Sequence, residues 1–169
     1  MSLVLSNPYD DAFGGFGIFL NSAPGSGAWP AANRALLLPF VVPEPITIAK
    51  LWWFNGSSVS GNVKAAVARQ SDGLVLVQTA STAQSGTSVV QEADITDTTL
   101  AAGDYYLLLA MDNNTGTMFR GAPSGVALRM AGMAQEALTA FAIPTNLTPA
   151  TLSAGYVPMC GYSLRTLVA

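Results

Sequence analysis

The sequence predicts an all-β protein: an antiparallel β-sandwich of jelly-roll type with an extended N-terminal arm and at most one short helix. Three observations carry this. Apolar runs of strand length recur at short spacing, and Gly, Pro, Asn and Asp punctuate them. Only Met133 to Phe141, MAQEALTAF, has a helix-forming composition, and it is too short to be stable alone. Many short strands with little helix describe a sandwich or a barrel. No repeat of fixed period is visible.

Residues 1–31 read as the extended arm and 32–169 as the sandwich domain. The arm mixes Gly, Ser and Pro with scattered aromatics, and Gly14, Gly15 and Gly17 disfavour a helix. Its Phe13, Phe16, Ile18, Phe19 and Trp29 need an apolar surface, either on their own domain or on a neighbouring subunit.

Arg34 to Val42 is the first strand of the domain. Pro39 lacks an N–H, so it belongs at an edge or a bulge. Pro43, Glu44 and Pro45 form a stiff connector to a strand over Ile46 to Phe54. Strict alternation puts Ile46, Ile48, Lys50 and Trp52 on one face. A bulge near Lys50 instead aligns Ile46, Ile48, Leu51 and Trp53 inward. In either register Trp52 and Trp53 face opposite ways. One belongs to the core, and the other meets an arm, a subunit or a ligand.

Asn55 and Gly56 open a turn. Val63, Ala65 and Val67 then alternate with Lys64, Ala66 and Ala68. Ser71, Asp72 and Gly73 make a tight turn into Leu74 to Thr79. After a polar stretch over Ala80 to Thr87, Ser88 to Ile95 alternates again, with Val89, Ala93 and Ile95 on one side. Tyr105 to Met111 is apolar on both faces and reads as a central strand covered on both sides. Thr117 to Arg120, Val126 to Met130 and Tyr162 to Val168 are further strand candidates.

Half the residues are apolar and 10% are charged, against roughly 25% in an average soluble domain. This describes either a small domain poor in charge or a surface covered by copies of itself or by partners, since interface cores are depleted in charge. We favour the second. The net charge of −3 provides no basic field for nucleic acid or anionic lipid. No run reaches the length of a membrane span. The first residues, MSLVLSNPYDD, lack the basic and apolar regions of a secretory signal, so folding in a cytoplasm is expected.

The chain has no His, and Cys160 is its one Cys. An intrachain disulfide is excluded, and the commonest general base and metal ligand are missing. Most of the acidic residues lie in predicted turns, where Asp hydrogen-bonds its own backbone. Asp112 to Gly116 offers hard oxygen atoms but lacks calcium-loop spacing. Asn55, Asn113 and Asn146 match the glycosylation pattern, which we read as chance. No phosphate loop is present. No catalytic residue, metal or cofactor is assigned. Trp29, Trp52, Trp53, Tyr105, Tyr106 and Phe119 could build a sugar-stacking platform, although strand aromatics usually belong to the core.

Asn33-Arg34-Ala35, Pro39-Phe40-Val41-Val42, Ile46-Thr47-Ile48 and Leu51-Trp52-Trp53 form a familiar series. It continues through Gly61-Asn62-Val63, the Asp72-Gly73 turn, Thr98-Thr99-Leu100 and Gly103-Asp104-Tyr105-Tyr106. Over about Ala32 to Arg120 the chain resembles a jelly-roll-like module of tailed-bacteriophage virion structural proteins. The resemblance implies a non-enzymatic virion component, commonly a homotrimer, that decorates a capsid or forms part of a short tail fibre. Its implied partners are itself and the major capsid or tail proteins. The alternative is a carbohydrate-binding module for host-surface glycans. The residues expected at interfaces or under a glycan are Phe13, Phe16, Phe19, Trp29, Trp52 and Trp53.

Overall fold

The computed structural model describes residues 24–165. It is an antiparallel β-sandwich. The strands are β1 (Gly25–Ala28), β2 (Arg34–Val42), β3 (Ile46–Phe54), β4 (Asn62–Arg69), β5 (Val75–Gln78), β6 (Thr82–Ala83), β7 (Val90–Leu100), β8 (Gly103–Met111) and β9 (Thr117–Gly121). A single short helix among the described residues, α1 (Gly125–Met130), precedes β10 (Ala134–Ala137), β11 (Ala150–Thr151), β12 (Val157–Pro158) and β13 (Cys160–Leu164).

The large sheet runs β11-β10-β2-β8-β4-β5, with β6 also paired to β4. A second sheet runs β13-β3-β7, and a third, β1-β9-β12, adjoins the end of β3 through an Asn55–Met118 bridge. The main core lies between the large sheet and the second one. Leu36, Leu38, Phe40, Val63, Val67, Leu107 and Leu109 meet Ile48, Leu51, Trp53, Cys160 and Tyr162 there. Phe40 stacks on Tyr105 and packs against Tyr162.

β8 is central and buried on both faces, as its sequence predicts. Leu107 and Leu109 enter the main core. Leu108 and Ala110 face a second cluster with Ala35, Leu37, Ala66 and Ala68, closed by Leu138, Ile143 and Leu147. The segment after β10 therefore acts as the outer cover of the large sheet. Pro39 sits opposite Tyr106 of β8, while β10 pairs only with Arg34 to Leu37. Beyond Leu37 that side of β2 has no strand neighbour, and a residue without a donor fits there.

Three expectations are corrected. The sandwich starts before Ala32: β1 pairs with β9, and Trp29 is 2% exposed, edge-on to Tyr156, with Nε1 donating to the Arg34 carbonyl at 2.9 Å. This part of the expected arm docks on its own domain. The stretch Met133 to Phe141 contains β10 rather than a helix, because β2 offers it a strand edge to pair with. Val126 to Met130 is helical rather than extended. Ser124 caps that helix through its hydroxyl, which accepts from the Ala127 N–H.

Candidate functional site

β3 carries the site, and a bulge decides what it displays. Ile48 pairs with Thr98 and Lys50 with Asp94, so Ile95, Thr96 and Asp97 of β7 stand opposite Ala49 alone. On the other side β13 skips Ala49 as well. The phase of β3 changes at this point. Ile48, Leu51 and Trp53 all become fully buried, which is the bulged register. Lys50, Trp52 and Phe54 take the outer face.

Directly opposed residues share a face. Trp52 therefore stands between Gly161 of β13 and Glu92 of β7, Lys50 between Ser163 and Asp94, and Phe54 beside Val90. Gly161 is the residue that lets the indole down. A Cβ built there would reach 2.5 Å from Cε2 and 2.8 Å from Nε1 of Trp52 and would also strike Cζ2. The indole covers the glycine and turns its other face away from the sheet. Trp52 is half-buried, whereas Trp53 is at 0%. Phe54 stacks on Phe119 with centroids 4.6 Å apart, so that ring is covered.

Charge flanks the indole. Lys50 Nζ lies 3.2 Å from Glu92 Oε2 and 3.6 Å from Asp94 Oδ1. The Glu92 hydrogen bond, then its charge and that of Asp94, hold the Lys50 ammonium above its ordinary pKa. Glu92 Oε1 makes no protein hydrogen bond among the described residues.

No family model matches the chain, and no curated protein matches it either.

The sequence-selected aromatics separate clearly. Trp29 and Trp53 are core residues. Trp52 alone of the three tryptophans borders solvent. Tyr105 is buried and Tyr106 packs on the second cluster. Phe13, Phe16 and Phe19 lie outside the described residues. Gly161 and Glu92 were not singled out in the sequence for this face, because strand pairing between distant segments brings them beside Trp52.

Four other carboxylates have individual structural tasks. Asp112 accepts from the Asn62 and Asn113 amides, Asp72 pairs with Arg69, Asp97 with Arg165, and Glu136 accepts from Thr148. In the Asp112 to Gly116 loop, Asn113 Oδ1 accepts from Thr115 and Gly116. No group of three metal-ligating side chains occurs among the described residues. The amides of Asn55, Asn113 and Asn146 all donate to protein carbonyls. An open depression of about 600 Å³ lies at the β4–β5 and β7–β8 turns, lined by Arg69, Gln70, Ser71 and Asp104. No helix among the described residues is long and apolar enough to cross a membrane.

Proposed function

We propose that the protein is a non-enzymatic virion structural protein of a tailed bacteriophage, assembling as a homo-oligomer, a trimer in the reading we favour, on the capsid or tail surface. The observation that carries the assembly is on α1. Val126 and Met130 are 58% and 73% exposed, one helical turn apart and hence on one face. They are the most exposed large apolar residues described, in a chain with few charges to solubilise them. An apolar pair of this kind suits a contact with a neighbouring copy.

The fold class and the motifs between Asn33 and Tyr106 support the virion setting. The engagement of Asp72, Asp97, Asp112 and Glu136 in tying neighbouring segments of the chain together supports a mechanical rather than chemical role.

Sedimentation equilibrium tests the assembly. The wild-type chain is expected to sediment as a closed oligomer, and Val126→Lys with Met130→Lys as a folded smaller species. A wild-type monomer at micromolar concentration overturns it. Peptide mass spectrometry of purified particles tests the setting: the chain is expected among the particle proteins, and its absence rejects the virion role.

A further inference from the structure

We infer that the outer face of the β13-β3-β7 sheet is a carbohydrate site in which one pyranose ring stacks on Trp52 and hydrogen-bonds to Glu92 and Lys50. This goes beyond the assembly role and does not depend on it. The argument begins with Gly161. Any side chain there would lift the indole off the sheet. With glycine, one face of the indole lies against the backbone and the other is presented outward. The C–H face of a pyranose is apolar and close in size to an indole, so the two surfaces are complementary.

The surroundings select the ligand class. Glu92 is directly opposite Trp52 in register, with Cβ atoms about 5 Å apart. Its free Oε1 accepts hydrogen bonds, and the Lys50 ammonium donates them. Sugar hydroxyls at the ring edge offer both. A second protein surface is a poorer occupant. It would bury the Lys50, Glu92 and Asp94 charges at a desolvation cost that an apolar partner cannot offset. A proline-rich peptide is also a poorer fit, because such peptides use successive open aromatics and Phe54 is capped by Phe119.

The test is a titration followed by nitrogen–proton correlation spectra of the full chain. The probes are methyl β-D-glucopyranoside and methyl β-D-galactopyranoside at millimolar concentration, with glycerol and a proline hexapeptide as comparisons. At least one glycoside is expected to shift the Trp52 indole N–H and the Gly161 and Glu92 amides saturably, while the Trp29 and Trp53 indoles stay still. Trp52→Ala should abolish the amide shifts, and Glu92→Gln should weaken binding about tenfold or less. Trp52 is outside the core, so a dispersed spectrum of Trp52→Ala verifies that the fold persists. If neither glycoside moves Trp52, if glycerol or the peptide moves it equally, or if Trp52→Ala leaves the shifts intact, the site is rejected. Sedimentation of Trp52→Ala is expected to match wild type, so loss of sugar binding and loss of assembly are separate results.

Discussion

Asp112 clasps Asn62 across two strands: Oδ1 accepts the Asn62 backbone N–H at 2.9 Å and Oδ2 the side-chain amide at 2.7 Å. Burial alone would raise the pKa of this carboxyl. The hydrogen bonds from Asn62, with one from Asn113, outweigh it and hold the pKa below the ordinary Asp value. A folded pKa below the unfolded one gives stability that is present above the unfolded pKa and lost as pH falls through the folded one. Thermal melts from pH 6 downward should therefore show an acid-side loss that Asp112→Asn reduces. An acid limb unchanged in that variant would show that Asp112 does not contribute.

Gln84 closes a buried polar knot. Its amide donates to the Thr117 carbonyl at 2.7 Å and to Asn55 Oδ1 at 3.2 Å, and its Oε1 accepts the Ser60 N–H at 2.8 Å. Gln84→Leu strands Asn55 Oδ1 and the Ser60 N–H, while the Thr117 carbonyl keeps the Gly56 N–H, and each unsatisfied buried group costs about 1–3 kcal/mol. Urea unfolding should show a loss of at least ~2 kcal/mol. A loss below measurement error would mean that water replaces the side chain.

Gly73 serves two needs at once. Its φ of +71° suits glycine, and a Cβ there would come 2.5 Å from the Leu147 carbonyl. Leu147 belongs to the cover of the large sheet. Gly73→Ala should destabilise by more than the ~1 kcal/mol of backbone strain alone and should expose the 138–148 segment to protease. A stable, protease-resistant Gly73→Ala variant would show that the cover shifts freely.

The adjacent tryptophans should behave unequally. Trp53→Ala removes a fully buried ring and should cost about 3–5 kcal/mol. Trp53→Phe should cost less, because Trp53 Nε1 has no acceptor to lose. Trp52→Ala should cost clearly less than Trp53→Ala in the same denaturant series. Equal losses would contradict the assignment of one to the core and the other to the surface.

Local patterns were a good guide where pairing partners impose little. β2 and β3 begin and end at the residues their composition indicates, and the bulge near Lys50 was one of the two registers their apolar order allowed. The 133–141 stretch misled because Ala, Gln and Glu favour helix only until a strand edge is available, and β2 supplies one. The Ser124 cap, with Ala, Leu, Arg and Met after it, was a readable helix signal that the apolar content of the segment obscured. Just before β7, Val89 is exposed at 46%, while Gln91 within the strand faces inward and accepts from Asn55. Polarity there follows the knot rather than the core. The outer face was half legible. The tryptophan pair announced that one ring must point out, but the glycine beneath it comes from the far end of the chain.

Ala49 is the residue that β3 carries in excess of β13, where Leu164 and Ser163, the partners of Ile48 and Lys50, are consecutive. The loss of its codon would therefore leave a regular strand, with Leu51 and Trp53 still turned inward and Lys50 and Trp52 still toward water. A three-nucleotide deletion that removed Leu51 instead would bring Trp52 into the inner row and turn Trp53 outward, exchanging greasy and solvent-facing chemistry along the rest of the strand in one step.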